Sequence, residues 1–363
     1  MSCGGGGAVA DRSEGTRYRG PVATHRGASW RPPIGWGWLV ALMAADTVAA
    51  VGLFGDIARH VDRTELLTGA DFLSGWHLVL YGGVTGVGLV LGLLALRHGP
   101  RAPLRLLPSA TYGVGILCVG GLADALWHEA FGVEAAFEAL VSPPHLLILL
   151  GLVLLMVAPV GALAAGPGRA LDGVQSVVLA LSVTSLLLVV SLFTGYLTPL
   201  IGGSELQAGT YLEPLLGTSA EDYDVSRGLA VALWFSALVS VTVAVVRART
   251  DPALGTWTIA FGFLGLAPLV ANGDAATPLT VALLVYGLAS DLVGLRGRPH
   301  PLLTGLATAA LWVTLFAAVA RRGDLAWGRE LWTGVVTTGF LVGAAAGQAV
   351  RWMGSEPREA TPA

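Results

Sequence analysis

Two copies of one pattern, Asp-x3-His-x16-His, contain the side chains of this sequence that are best suited to chemistry. The second copy begins 68 residues after the first, and in each a serine precedes the last histidine by three positions. We call the copies the first triad and the second triad: Asp56, His60 and His77, and Asp124, His128 and His145. Imidazole and carboxylate groups in this combination are ligands for a transition metal ion. All six residues are therefore predicted metal ligands.

The spacing of each triad predicts how its side chains meet. The aspartate and the first histidine are four residues apart, so they lie on one face of one helix. The second histidine comes from the start of the next helix: Ser142 suits the N-cap, Pro143 the first helical position and His145 the third. Because a helix N-terminus disfavours an imidazolium, it leaves a neutral ring that can bind metal. Each hairpin thus presents two imidazoles and one carboxylate with coordination positions left open, as reactive sites do.

The composition places these helices in a membrane. The chain has 363 residues, of which 54% are hydrophobic and 12% charged, and its mean hydropathy is +0.70. Such a chain is too apolar for a soluble protein with an ordinary surface, so we predict an all-α, polytopic membrane helix bundle. A span needs about 20 mostly apolar residues. Ten stretches qualify: 36–57, 72–96, 106–128, 143–165, 174–198, 227–246, 255–271, 278–295, 302–320 and 331–350.

The bundle is predicted to occupy residues 35–353, between disordered cytoplasmic tails at 1–34 and 354–363. Its first two hairpins, 36–96 and 106–165, carry one triad each and run in the same direction as a tandem parallel repeat. All 21 basic residues are arginine, and with a cytoplasmic N-terminus fifteen fall on inner segments and six on outer ones. This bias follows the positive-inside rule. We therefore expect a multi-pass protein of the cell membrane with both termini in the cytosol and both triads on the extracytoplasmic side.

Ligand chemistry narrows the choice of metal. Histidine and aspartate suit copper, zinc and iron alike, whereas magnesium and calcium would want more oxygen ligands. No Cys or Met belongs to either triad, which argues against a soft Cu(I) transfer site. Copper is our first expectation, with zinc or iron as the alternatives. Four further polar residues are predicted to support the ligands or to add to them: Glu129, Glu134, Ser74 and Ser142.

Asp46 lies in the middle of the first predicted helix. An aspartate there costs about 2.5–3.5 kcal/mol on insertion scales unless it is paired or hydrated. An ionisable residue inside a span is a functional candidate by default. Its depth below Asp56 suits a path for protons or metal ions.

The charge pattern excludes one class of partner. No basic stripe with interleaved aromatic residues appears, so we expect no binding to nucleic acid. The expected partners are membrane lipid and a metal ion, together with further subunits or other copies of the chain.

A doubled Asp-x3-His followed by a histidine on the next transmembrane helix resembles the C subunit of the particulate methane and ammonia monooxygenases, over about residues 50–150. The resemblance implies that the first triad forms one copper site in the membrane and the second triad another, and that partner subunits complete the enzyme. The sequence departs from that family in three respects. Asp124 stands where the family has Asn, the gap between the histidines is longer, and ten helices are more than the subunit has.

Three functions are compatible with these features. The first is a monooxygenase-like subunit that oxidises a small apolar molecule entering from the bilayer. The second is a membrane zinc hydrolase, in which a triad holds zinc and activates its bound water. The third is a metal transporter or sensor that uses Asp46 beyond the triads. A hydrolase does not explain the duplication, and a transporter predicts more polar residues further inward than the spans contain, so the sequence favours the first.

Overall fold

The computed structural model describes seven stretches of the chain: 34–61, 75–132, 140–165, 169–200, 220–295, 300–325 and 327–353. Twelve α-helices make up nearly all of these residues: α1 Trp36–Val61, α2 Gly75–His98, α3 Ala102–Leu106, α4 Pro108–Phe131, α5 Pro143–Leu163, α6 Gly173–Phe193, α7 Ala220–Arg249, α8 Thr256–Leu264, α9 Leu266–Asn272, α10 Thr277–Gly294, α11 Pro301–Arg322 and α12 Arg329–Met353. Two 3-10 helices, Gly195–Leu197 and Gly273–Ala276, and one parallel pair of two-residue strands, β1 (Arg169–Ala170) and β2 (Thr250–Asp251), complete the described part.

Nine helical segments of the described chain are long and apolar enough to cross a membrane. One of them, Thr256–Gly294, contains both the seventh and the eighth predicted spans. Within it α8 and α9 run antiparallel to α10, because Thr280 donates to the carbonyl of Gly265 (2.8 Å) while Gly287, further along α10, lies against Trp257. If the antiparallel halves of Thr256–Gly294 are counted separately, the described chain has ten long helical stretches. The predicted all-α membrane bundle is confirmed.

Asp291 connects α10 to the start of α8. Its carboxylate accepts hydrogen bonds from the backbone N–H groups of Trp257 (3.1 Å) and Thr258 (2.9 Å) and from the Thr258 hydroxyl (2.7 Å). These bonds satisfy N–H groups that have no intrahelical partner at the start of α8, and the negative charge matches the helix dipole. The aspartate is buried in α10, so the start of α8 is fixed against that helix.

Helix α6 forms the centre of the bundle. It packs against α1, α5 and α8, and its buried residues lie all around the helix, as expected of a helix that is apolar on every side. Asp172 begins it as N-cap: the carboxylate accepts from the Gln175 backbone N–H at 2.8 Å, and the Gln175 side chain accepts from the Asp172 backbone. The hairpins that carry the triads, α1–α2 and α4–α5, lie beside this helix.

Glycines allow the two helices of each hairpin to approach closely. A Cβ at Gly52 would meet the backbone of Leu80 in α2, and a Cβ at Gly120 would lie 3.2 Å from the backbone nitrogen of Ile148 in α5. Both residues of the second contact lie 68 positions after those of the first. A further pair of contacts corresponds in the same way: Gly83 against Ala45, and Gly151 against Gly113. Small residues of this kind bring helix backbones together, so the end of each aspartate-bearing helix lies on the start of the next.

The predicted tails, 1–34 and 354–363, fall outside the described stretches apart from Ile34, which is buried in the core. The cytosolic placement of both termini, the side of the membrane on which the triads lie and the origin of the two hairpins by duplication stay predictions.

Candidate metal centre

The structure brings the three residues of the second triad together. Oδ1 of Asp124 lies 3.4 Å from Nε2 of His128 and 3.4 Å from Nδ1 of His145. One ligand atom from each residue lies within 4.8 Å of those of the other two. Asp124 and His128 project from the last turns of α4, and His145 comes from the first turn of α5. Three such atoms at this separation can coordinate one metal ion.

Oδ1 of Asp124 lies near two ring nitrogens and has no hydrogen-bond partner in the described part of the chain. Its side chain is 10% exposed, and the buried Oδ1 accepts no hydrogen bond from the described residues. The rings of His128 and His145 stand edge to face, with centroids 6.0 Å apart and planes at 74°. A buried carboxylate oxygen is costly in such a place unless a cation completes the group. The arrangement therefore fits a metal ion.

A backbone carbonyl orients the ring of His128. Nδ1 lies 3.2 Å from the carbonyl oxygen of Gly132, and because a carbonyl only accepts, Nδ1 is the nitrogen that carries the proton. In a neutral ring Nε2 then holds the lone pair, and Nε2 is the atom that faces Asp124. Two acceptors that face each other repel unless a cation lies between them. A hydrogen bond from the far nitrogen to a carbonyl is also typical of metal-binding histidines.

Ser142 contacts the ring of His145 rather than the backbone of its helix. It occupies the predicted N-cap position, with Pro143 as the first helical residue and His145 as the third. Its hydroxyl makes no capping hydrogen bond and lies 2.8 Å from Nδ1 of His145. The predicted position is confirmed, but the hydroxyl serves the histidine because the ring stands directly above it. The hydroxyl can donate to Nδ1 or accept from it, and only where Nδ1 donates does the other nitrogen, Nε2, keep a lone pair for a metal ion.

The first triad shows the same contact between its aspartate and its last histidine. Nδ1 of His77 lies 3.4 Å from Oδ1 of Asp56, the same atoms and distance as in the second triad. The ring of Trp76 lies against Gly55, where a Cβ would collide with it, so α2 starts close to the carboxylate. His60 belongs to the last turn of α1, and its side chain lies outside the described part of the chain.

The other predicted site residues have different positions. Glu129 is exposed in the last turn of α4 and is not part of the second triad's cluster. Ser74 and Glu134 lie outside the described stretches. Asp46 is 0% exposed on the buried face of α1, and neither of its carboxylate oxygens has a hydrogen-bond partner among the described residues.

Sequence reasoning missed two residues of the site. Gly132 supplies the carbonyl that orients His128, and Tyr81 stacks on His77 with ring centroids 5.8 Å apart and planes at 28°. The sequence does contain a signal by which each could have been found: both residues follow a triad histidine by four positions, which is one helical turn.

Comparison of the chain with protein-family models, with curated proteins and with solved structures finds no match. The resemblance to the monooxygenase C subunit therefore stays a prediction based on the triads, and the site is interpreted from its own geometry.

Proposed function

We propose that this chain is a membrane metalloprotein in which the second triad binds a transition metal ion and the first triad binds another. One observation carries the proposal: the buried Oδ1 of Asp124 faces Nε2 of His128 and Nδ1 of His145 at 3.4 Å each. Burial makes a bare carboxylate expensive, and Oδ1 accepts no hydrogen bond from the described residues. A divalent cation held by this carboxylate and by one nitrogen of each ring removes that cost.

Copper is the metal that we propose first, with zinc and iron as the alternatives. Two imidazole nitrogens and one carboxylate oxygen are borderline ligands that suit these metals, and three protein ligands leave coordination positions for a reactant. Asp124, His128 and His145 would hold the ion. Bound copper would supply a one-electron redox centre that reacts with dioxygen.

The proposed activity is oxygen-dependent oxidation of a small apolar molecule by a monooxygenase-like subunit: one atom of O2 enters the substrate, and the other leaves as water with two electrons and two protons from an external electron donor. The apolar character of α4 is what supports an apolar substrate. Leu122 and Leu126 on this helix are 65% and 63% exposed, and they lie on another face than the buried Asp124, because residues two apart on a helix do not face each other. The helix that carries the ligands is thus in contact with the bilayer from which such a molecule would come.

Metal analysis of the purified full chain tests the proposal. We expect stoichiometric Cu(II) whose electron paramagnetic resonance spectrum shows coupling to nitrogen. His145→Ala should remove the signal of the second triad because it deletes one of three ligands. His98→Ala is the matched control, since His98 is exposed at the other end of α2 and belongs to neither triad.

Three outcomes would overturn all or part of this assignment. Absence of metal in the wild type, or equal metal content in the wild type and His145→Ala, would contradict the metal site itself. Zinc alone in the wild type would replace oxidation by hydrolysis as the activity. Copper without oxygen consumption in the presence of small hydrocarbons and an added two-electron donor would contradict the monooxygenase-like role and leave metal binding intact.

Asp46 favours metal transport as a second candidate function. Its carboxylate has no hydrogen-bond partner among the described residues. It lies on the same helix as Asp56, ten residues before it, which is about 15 Å along the axis. A carboxylate at that depth would form a relay for cations captured by the triads. Metal uptake into proteoliposomes tests this role: uptake that Asp46→Asn abolishes supports it, and no uptake by the wild type contradicts it.

A further inference from the structure

A cavity of about 390 Å³ lies at the end of the first hairpin that is opposite to the first triad. Its walls are the start of α1, the last turns of α2 and the short helix α3. The two walls from α2 and α3 each contribute residues four positions apart, which lie on one helix face: Leu94 with His98, and Ala102 with Leu106. A volume of this size is typical of a small-molecule site.

The cavity is apolar at its floor and basic at its mouth. The floor contains Ile34, Leu94 and Ala102, each at most 3% exposed. His98 and Arg105 line the cavity as well, and both are exposed. A ligand that fits such a lining combines an anionic group with an apolar part.

No acidic residue offsets the basic charge at the mouth. The two stretches that form the cavity, 34–45 and 91–107, contain no Asp or Glu. Neither His98 nor Arg105 has an ion-pair partner among the described residues, and Arg101 adds a further positive charge nearby. The local potential therefore favours an anionic ligand over one that also carries a cation.

The wall that carries Arg105 is a fixed part of the fold. Gly99 turns the chain with φ of 93°, and its carbonyl accepts from the backbone N–H of Ala102 at 2.9 Å. The backbone N–H of Leu107 closes α3 by donating to the carbonyl of Pro103 at 2.8 Å. Because α3 also packs against both α2 and α4, the cavity is formed before a ligand arrives.

We propose that this cavity binds an anionic phospholipid of the inner leaflet. The lipid phosphate would accept hydrogen bonds from the Arg105 guanidinium and from a ring N–H of His98. The first part of an acyl chain would lie along Trp38, Leu94 and Leu106. The arginine distribution predicts that this end of the bundle faces the cytosol, where basic pockets between helices bind anionic headgroups. The proposal does not depend on the metal sites, since the first triad lies at the other ends of α1 and α2.

A purely topological role is the alternative for these basic residues. Arginines at the inner ends of spans orient a membrane protein whatever surrounds them. That role requires neither an apolar cavity nor a fixed wall. It also predicts equal effects of Arg101 and Arg105, which are four residues apart at the same helix.

The test measures binding to the purified full chain in a non-ionic detergent, by native mass spectrometry and by melting temperature. Dioleoylphosphatidylglycerol, dioleoylphosphatidylcholine and inorganic phosphate are the probes, and they separate the anionic lipid from the zwitterionic lipid and from the free anion. Arg105→Gln removes the charge at the cavity. Arg101→Gln is the matched control, because Arg101 is exposed, makes no capping hydrogen bond with its side chain and does not line the cavity.

We expect saturable binding of phosphatidylglycerol, about 10-fold tighter than that of phosphatidylcholine, because each basic side chain strengthens the attraction of an anionic lipid by about 5-fold. Arg105→Gln should lower the affinity for phosphatidylglycerol by about 10-fold or more, since it removes a charge-assisted hydrogen bond. Arg101→Gln should lower it by no more than about 5-fold. Both positions are exposed, so the melting temperature without lipid should stay at the wild-type value in both variants.

The other outcomes overturn the proposal. Equal affinities for the two lipids would show contact with bulk lipid rather than recognition of a headgroup. If inorganic phosphate raised the melting temperature as much as phosphatidylglycerol, the cavity would be a site for a free anion. Equal losses in Arg105→Gln and Arg101→Gln would reduce Arg105 to a topological charge, and absence of saturable binding would leave the cavity without a lipid.

Discussion

Nδ1 of His145 lies 3.4 Å from Oδ1 of Asp124 across the interface between α4 and α5. The aspartate and last histidine of the first triad make the same contact at the same distance between α1 and α2. In both hairpins a glycine one turn before the aspartate lets the partner helix approach. The pairing of charge and imidazole is therefore a result of helix packing as much as of side-chain choice, and it makes the hairpin interface the place to test the site.

Removing the Ser142 hydroxyl should weaken metal binding without unfolding the chain. The hydroxyl lies 2.8 Å from Nδ1 of His145 and makes no capping bond, so it orients the ring of His145, a proposed ligand. We expect Ser142→Ala to lower metal affinity by roughly 10- to 100-fold. Competition with a chelator of known affinity measures this.

Ser142→Thr is the matched control for that measurement, because it keeps a hydroxyl at an N-cap position that threonine tolerates. Its metal affinity should stay close to that of the wild type. Equal affinities in all three chains would show that the hydroxyl does not orient the histidine.

A side chain at position 132 should disturb His128 through the backbone. Gly132 has φ of 85° and ψ of 178°, a region that is essentially restricted to glycine, and its carbonyl accepts from Nδ1 of His128 at 3.2 Å. Gly132→Ala would move the carbonyl or strain the backbone at a cost of about 1–3 kcal/mol. We expect a lower metal affinity and an altered electron paramagnetic resonance spectrum.

Gly323 provides the comparison for this variant. It ends α11 with φ of 80°, so Gly323→Ala introduces strain of a similar kind far from the triads in sequence. It should lower thermal stability and leave metal affinity unchanged. If both variants lowered metal affinity equally, the effect would come from general destabilisation rather than from His128.

The fold and the second triad could be predicted because they depend on local patterns. Long apolar stretches define the helices, and a spacing of four residues places Asp124 and His128 on one face whatever lies around them. Pro143 after a serine marks the start of a helix, and this fixed the position of His145. These signals need no knowledge of how distant helices pack.

The features that escaped prediction depend on how side chains and turns are oriented, which residue spacing does not fix. The Tyr81 ring could have faced away from His77 instead of stacking on it, and the hydroxyl of Ser142 could have capped its helix instead of facing the His145 ring. The predicted seventh and eighth spans appear as one continuous segment, Thr256–Gly294, because the turn at Gly273–Ala276 is itself helical. Local sequence does not record such neighbours.

A side chain at position 52 should move Asp56 on α1 away from His77 on α2. A Cβ at this position would collide with the backbone of Leu80, so Gly52→Ala must push α1 and α2 apart. Overpacking of this kind costs about 1–3 kcal/mol. Because Asp56 follows one turn later, we also expect weaker metal binding by the first triad, measured in the His145→Ala background.

Gly82→Ala is the matched control, since a Cβ there meets nothing within 4 Å. Alanine is also the better helix former, by about 1 kcal/mol. Unfolding in mixed detergent should thus show Gly82→Ala at or above wild-type stability and Gly52→Ala below it. Unchanged stability in Gly52→Ala would mean that the hairpin is looser than the structure indicates.

Replacing Asp46 should stabilise the bundle. Both carboxylate oxygens are buried and accept no hydrogen bond from the described residues, and an unsatisfied buried polar group costs about 1–3 kcal/mol. Asp46→Leu exchanges that group for an apolar side chain of similar size in a face formed by residues such as Leu42 and Leu53. We expect a higher free energy of unfolding, measured in detergent by denaturant titration.

Asp172 supplies the contrasting variant, because its carboxylate accepts from both the backbone and the side chain of Gln175 at 2.8 Å. Asp172→Ala removes an N-cap and should destabilise by about 0.5–2 kcal/mol. A loss of stability in Asp46→Leu of the same size would show that Asp46 is satisfied in the membrane by water or a bound cation. That result would strengthen transport over oxidation, since a hydrated carboxylate at this depth continues the path that begins at Asp56.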